Sequence, residues 1–135
     1  MLKLMIGVKG TGKTKTLIEM VNSAVNTSNG AVVCIEKGDK LRYDIKYQAR
    51  LIDTDEFMVA DAKTLYGFIA GILASNHDVT DLFIDSALKI CNNDVADFEG
   101  MLDGLAALVE KTKTNLFITS SLPVEEATDT IKKYI

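Results

Sequence analysis

Residues 7–14 read GVKGTGKT and fit the pattern G-x-x-x-x-G-K-[ST]. Glycines in such a loop let consecutive backbone N–H groups turn inward around an anion, because no side chain forbids the necessary angles. A lysine followed by a hydroxyl residue suits phosphate groups and a Mg²⁺ ion. The pattern therefore predicts a phosphate-binding loop made of eight residues: Gly7, Val8, Lys9, Gly10, Thr11, Gly12, Lys13 and Thr14.

The last two residues of this loop have distinct expected roles. Lys13 is predicted to reach the β- and γ-phosphates of a nucleotide as a movable point charge. The Thr14 hydroxyl is predicted to take one position around Mg²⁺. A helix that starts here would add about half a positive charge at its first turn. The alternative is a glycine-rich strand-to-helix turn that carries Lys-Thr and binds no anion.

Asp85 is the second residue expected at the metal ion. It follows the short apolar run at residues 82–84, as does the carboxylate that anchors Mg²⁺ at the end of a neighbouring strand in phosphate-binding proteins. A carboxylate in an ordinary turn or helix cap is the alternative. Thr14 and Asp85 are thus the predicted metal-binding pair.

Hydrolysis of a bound triphosphate also needs a residue that orients or deprotonates water. Asp85 is followed by Ser86, whereas many ATPases have a glutamate next to the metal aspartate. Glu36 ends the apolar run at residues 31–35, and we expect it to project from the same sheet edge as the loop. It is the candidate base, and a solvated loop glutamate is the alternative.

Three hydroxyl residues end the last predicted strand. Thr119, Ser120 and Ser121 are placed where a hydroxyl could reach the γ-phosphate or the attacking water. A plain turn at the end of the strand is the alternative for each of them.

The elements that must position these residues alternate between strands and helices. Apolar runs predict buried strands, and apolar residues at helical spacing predict packed helices. This alternation predicts an α/β fold with a mostly parallel sheet. The predicted strands are residues 2–6, 31–35, 82–84 and 115–119, and the predicted helices are residues 14–26, 63–75, 94–110 and 124–134.

Residues 41–53 fit two patterns. Apolar and polar residues alternate as in a strand, yet Leu41, Ile45, Ala49 and Ile52 also form a helical stripe. We expect a short helix near residues 40–47 and a strand at about 49–53. Residues 57–60 are a further strand candidate.

Composition bounds the classes of function. The 135 residues form one predicted domain, with a net charge of −4 and only two arginines, Arg42 and Arg50. An acidic chain without clustered basic residues is not expected to bind nucleic acid. The longest apolar stretch, residues 65–74, is about half of what a bilayer requires. With the loop so near the first residue we expect no removable signal, and the predicted location is cytoplasmic, without membrane contact.

These residues, in their order along the chain, resemble the core of the RecA/KaiC-like branch of P-loop ATPases. The loop lies on the first strand, Glu36 closes the second, and Asp85 with the serine after it closes a later strand. Thr119 and Ser120 match the polar end of the strand that this branch inserts between the first and the Asp85 strand. The resemblance spans most of the chain, although its specific part is residues 7–14.

This resemblance implies a three-layer P-loop NTPase fold with the last strand central, ATP and Mg²⁺ as ligands, and Glu36 as the base. Small free-standing chains of this kind are also similar to proteins labelled pilus-retraction ATPases. These 135 residues carry no match to the N-terminal domain or the histidine-bearing motifs of that motor, and we expect no DNA-binding loops.

Three functions are compatible with these features. The first is an ATPase, slow alone and stimulated by self-association or by a protein partner, because members of the branch often receive an Arg or Lys from a neighbour. The second is a nucleotide-dependent binding module without useful turnover. The third is a small-molecule kinase, which two arginines disfavour. Candidates for a cation supplied within the chain are Arg42, Arg50, Lys132 and Lys133.

Overall fold

The computed structural model describes residues 1–135 as an α/β fold around one five-stranded sheet. All neighbouring strands are parallel and stand in the order β1-β5-β4-β2-β3. Parallel pairing brings the carboxyl ends of all five strands to the same edge of the sheet. The strands are β1 (Leu2–Gly7), β2 (Ala31–Glu36), β3 (Arg50–Asp53), β4 (Val79–Ile84) and β5 (Asn115–Ser121).

Helices cover both faces of this sheet, because successive strand residues point to opposite sides. Val33 and Ile35 join a cluster of 25 buried residues that includes the inner faces of the second and fourth helices. Val32 and Cys34 join a cluster of nine buried residues beneath the first helix. The helices are α1 (Lys13–Thr27), α2 (Ala62–Ser75), α3 (Ala87–Ile90), α4 (Val95–Thr112) and α5 (Asp129–Lys132). None of them combines the length and the apolar character needed to cross a bilayer.

The helix predicted near residues 40–47 is wrong. The chain makes a turn in which Asp44 N and Ile45 N both donate to Leu41 O, at 2.9 and 3.0 Å. Leu41 and Ile45 are buried in the cluster under α1. Their spacing therefore results from burial of a turn and does not indicate a helix. Asn22 of α1 fixes the segment by donating to Asp44 O at 2.9 Å. The strand predicted at residues 49–53 is confirmed as β3.

Two other segments also differ from expectation. Residues 57–60 form no strand, because the chain makes a 3-10 turn at Thr54–Phe57 and Met58 then adopts a left-handed φ of 58°. The helix predicted at 124–134 is broken into a 3-10 turn, Val124–Glu126, and α5. Thr128 separates the two with an extended backbone and caps α5 through its side chain.

The order of the strands agrees in one respect with the implied sheet and differs in another. β5 lies between β1 and β4, as the resemblance implies. The middle position, however, belongs to β4 and not to the last strand, so that expectation is wrong. The ends of β1, β5 and β4 consequently lie side by side, next to the end of β2.

Candidate functional site

The glycine-rich loop (residues 7–14) connects the end of β1 to the start of α1. Gly10 and Gly12 both have φ of 87°, in the left-handed region that residues with a side chain rarely adopt. Gly12 is also the residue that precedes the first turn of α1. The free N–H groups and positive end of that helix therefore face the loop.

Lys13 is folded back into the loop that carries it. Its Nζ donates to Gly7 O at 2.9 Å, to Val8 O at 2.8 Å and to Thr11 Oγ1 at 3.3 Å. Only 7% of the residue is exposed. Burial lowers the pKa of the Lys13 ammonium group, and the negative charge of Asp85 acts in the opposite direction. These three hydrogen bonds satisfy the N–H donors of the Lys13 ammonium group, which is partly removed from water.

Asp85 lies just beyond the end of β4 and is surrounded by hydroxyl groups. Thr119 Oγ1 donates to Asp85 Oδ1 at 2.8 Å, and Thr14 Oγ1 donates to the same oxygen at 3.2 Å. Asp85 N donates to Ile35 O at 2.9 Å, which fixes the backbone to β2. The first residue of α1 after Lys13 is thus joined directly to the carboxyl end of β4.

Two hydroxyl groups of β5 hold the chain that follows Asp85. Thr119 Oγ1 accepts a hydrogen bond from Ser86 N at 2.9 Å, and Ser120 Oγ accepts one from Leu88 N at 3.2 Å. Ser86 has a left-handed φ of 54°, a strained conformation for a residue with a side chain. Ser120 is fully buried and positions α3.

Glu36 lies beside Asp85 at the end of the adjacent strand, but its carboxylate is directed elsewhere. Glu36 Oε2 accepts a hydrogen bond from Leu41 N at 3.0 Å, and the residue is only 2% exposed. Burial raises the pKa of Glu36, the backbone hydrogen bonds from Leu41 and Lys40 oppose this, and the charges of Asp85 and Asp53 add to it. Glu36 anchors the turn that follows β2.

A cleft of about 640 Å³ opens at the carboxyl ends of β4 and β5, beside the loop. Its lining is polar, with only Leu41 and Leu88 as apolar residues. Asp85 is its one carboxylate. The cleft is therefore strongly cationic although the whole chain carries a net charge of −4. Five lysines line it: Lys9, Lys13, Lys15, Lys40 and Lys89.

The structure brings most, but not all, of the residues named from the sequence to this cleft. Glu36 and Ser120 are absent from its lining, and the contacts described above account for their side chains. Gly7, Val8 and Thr11 belong to the loop without lining the cleft. The named residues that do line it are Lys9, Gly10, Gly12, Lys13, Thr14, Asp85, Thr119 and Ser121.

Sequence reasoning missed several residues of the cleft. Lys40 arrives on the turn after β2, and Lys89 and Asn93 arrive on and after α3. No local pattern predicted Lys89, because α3 is a single turn, Ala87–Ile90, that begins only after the left-handed Ser86. The position of Lys40 in the cleft depends on the fold of residues 37–41, which no sequence pattern predicts.

The chemistry of this cleft suits an anion accompanied by a hard cation. The Thr14 hydroxyl and the Asp85 carboxylate are oxygen donors of the kind that Mg²⁺ prefers. No cluster of three or more His, Cys, Asp or Glu side chains could hold a metal ion by itself. A cation here would thus need further oxygen ligands, which phosphates and waters could supply.

Comparisons with protein-family models and with curated proteins find no match to this chain in either set.

Proposed function

We propose that this chain is a RecA-like P-loop protein that binds ATP with Mg²⁺ and hydrolyses it slowly. The observation that carries the proposal is the meeting of three features in one cleft. These are the glycine-rich loop with the first turn of α1, the Thr14–Asp85–Thr119 hydrogen-bond group, and five lysines. A polyanion with a bound divalent cation matches all three.

The topology of the sheet supports the RecA-like part of this proposal. The strand that precedes the glycine-rich loop is separated from the Asp85 strand by β5, whose end carries Thr119. Insertion of a strand with a polar end at this position is one feature that the resemblance implies. Many α/β proteins have parallel sheets, so the strand order is the more informative part of the fold.

Within this proposal, Lys13 leaves its contacts with the loop carbonyls and binds the β- and γ-phosphates. Thr14 and Asp85 would hold Mg²⁺, which would neutralise phosphate charge. Thr119 keeps the Asp85 carboxylate oriented through the 2.8 Å hydrogen bond. In hydrolysis, a water oxygen bonds to the γ-phosphorus. The bond from that phosphorus to the bridging oxygen breaks, and its electron pair stays on ADP. The proton of the water passes to a base.

Glu36 is the proposed base, and its position supports a slow reaction in the isolated chain. The carboxylate is buried against the turn at residues 37–41 and does not line the cleft, so it must move before it can accept a proton from a water there. A partner or a second copy that moves residues 37–41 would therefore accelerate hydrolysis. The same observation favours a second candidate function, a module that binds ATP and signals through a change of conformation without hydrolysing the nucleotide.

Phosphate release from Mg–ATP tests the proposal. Wild-type protein should release phosphate slowly, and Lys13→Ala should abolish this release. Lys111→Ala on α4 is the matched control, because that exposed lysine lies away from the cleft. ATP binding without Lys13-dependent release, at any protein concentration, would reject the ATPase in favour of the binding module.

A further inference from the structure

None of the four residues named from the sequence as substitutes for a neighbour's Arg or Lys lines the cleft. Arg42 pairs with Asp39 at 3.6 Å and lies over the ring of Tyr43. Arg50 begins β3, at the sheet edge opposite to the cleft. Lys133 pairs with Asp103 at 3.0 Å. The cleft nevertheless has cations from its own chain.

Lys89 is a cleft lysine whose backbone the fold holds firmly. It belongs to the single turn of α3, in which Ala87, Leu88 and Ile90 are buried at 0, 4 and 2% exposure. Lys89 alone of the four residues is exposed. With three sides of this turn packed into the core, the remaining side must face the cleft.

The connection between Lys89 and Asp85 is short and rigid. Ser120 Oγ holds Leu88 N at 3.2 Å, and Thr119 Oγ1 holds Ser86 N at 2.9 Å. The backbone between the two charged residues is therefore fixed to β5 at two points. Lys89 makes no ion pair, since the three ion pairs of the chain join other residues. Its ammonium group is free to bind an anion beside Asp85.

We propose that Lys89 binds the terminal phosphate of the nucleotide from within the same chain. The inference rests on the proposed function, in which Thr14 and Asp85 would hold Mg²⁺ and the loop would hold the phosphates. Lys89 lines the cleft from α3, just after Asp85, whereas Lys13 lines it from the loop, so Lys89 is the lysine on the Asp85 side of the bound phosphates. Lys89 thereby distinguishes ATP from ADP and supplies the positive charge that related ATPases take from a neighbouring chain.

The test compares the affinities of wild-type protein, Lys89→Ala and Lys89→Arg for Mg–ATP and Mg–ADP by calorimetry. In Lys89→Ala the preference for ATP over ADP should fall about tenfold, because one charge-assisted contact with the γ-phosphate is lost. Lys89→Arg should keep the preference. Lys111→Ala is the control, since both lysines lie in the last turn of a helix. Thermal unfolding would verify that all variants fold.

Three outcomes overturn the inference in distinguishable ways. If every variant binds ATP but Lys89→Ala keeps the wild-type preference, Lys89 does not contact the terminal phosphate, and the proposed function is unaffected. If wild-type protein binds neither nucleotide, the inference and the proposed function fail together. A preference for ATP that disappears on dilution of wild-type protein would place the cation on a neighbouring chain and likewise reject Lys89.

Discussion

Thr119 Oγ1 donates to Asp85 Oδ1 at 2.8 Å while accepting a hydrogen bond from Ser86 N at 2.9 Å. This arrangement follows from the register of β4 and β5, in which Ile84 is paired with Ile118. The residues that come next, Asp85 and Thr119, are therefore neighbours. The hydroxyl of Thr119 fixes one rotamer of the carboxylate and one conformation of the backbone after it.

Replacement of this hydroxyl should affect both stability and ligand binding. In Thr119→Val the Ser86 N–H loses its acceptor, and the free energy of unfolding should fall by about 1–3 kcal/mol. Because the Asp85 carboxylate loses its orientation, the affinity for Mg–ATP should also fall, whereas binding of ATP without Mg²⁺ should change little. Calorimetry with and without Mg²⁺ measures this.

Thr114→Val provides the matched control for that change. Thr114 is equally buried, precedes β5 at the opposite edge of the sheet, and bonds to the Thr112 hydroxyl at 2.9 Å. It should lower stability and leave Mg–ATP affinity unchanged. Equal losses of affinity in the two variants would show that Thr119 acts through general stability.

Substitution of Gly12 and of Gly67 by alanine tests the backbone conformation of the loop. A Cβ atom at either position meets nothing within 4 Å, so the two substitutions by alanine differ only in backbone conformation. Gly12→Ala should cost about 1–2 kcal/mol because φ is 87° there. Gly67→Ala, inside α2, should stabilise the fold by roughly 0.5–1 kcal/mol. Chemical unfolding measures both, and similar effects at the two positions would contradict the strained loop.

Glu36→Gln separates the proposed base from a purely structural residue. Glutamine keeps an oxygen that can accept from Leu41 N but cannot take a proton from water. We expect phosphate release to fall at least roughly a hundredfold, as when a general base is removed, while affinity for Mg–ATP changes little. Steady-state phosphate release and calorimetry give the two quantities. An unchanged rate would eliminate Glu36 as the base.

The stability of the fold should also respond to pH through Glu36. Because burial raises the folded-state pKa of Glu36, the folded chain holds more protons than the unfolded chain between the ordinary and the raised pKa. The contribution of this residue to stability therefore falls as pH rises through that window. Glu36→Gln should gain stability relative to wild type as pH rises above the ordinary pKa of a glutamate, by chemical unfolding. A flat or declining difference would contradict a desolvated carboxylate.

The strands and the candidate site differ in how far the sequence predicts them. Runs such as residues 31–35 are apolar throughout because β2 is buried on both faces, so their assignment follows from composition alone. Residues 40–47 were misassigned because burial of Leu41 and Ile45 in a turn imitates helical spacing. Their conformation depends on a hydrogen bond to the side chain of Glu36, before the turn, and on one from Asn22, which is distant in sequence.

The same distinction applies to the site. The loop at residues 7–14 and Asp85 are predicted from local patterns, because each pattern by itself indicates where its residues lie in the fold. Lys89 is not predicted from such a pattern, because the direction of its side chain depends on the burial of the rest of α3 against β5. The 3.0 Å contact between Glu36 and Leu41 N was equally beyond sequence reasoning, since either a solvent-facing or an inward carboxylate fits the end of β2.

Calorimetric titration of Mg–ATP into wild-type protein and Lys13→Ala tests the central claim most directly. The account predicts one binding site in the wild type, dependent on Mg²⁺, and loss of measurable binding in Lys13→Ala. The variant should still unfold cooperatively, which distinguishes a lost contact from a lost fold. Absence of binding to the folded wild type, or equal affinity in the folded variant, would contradict the account.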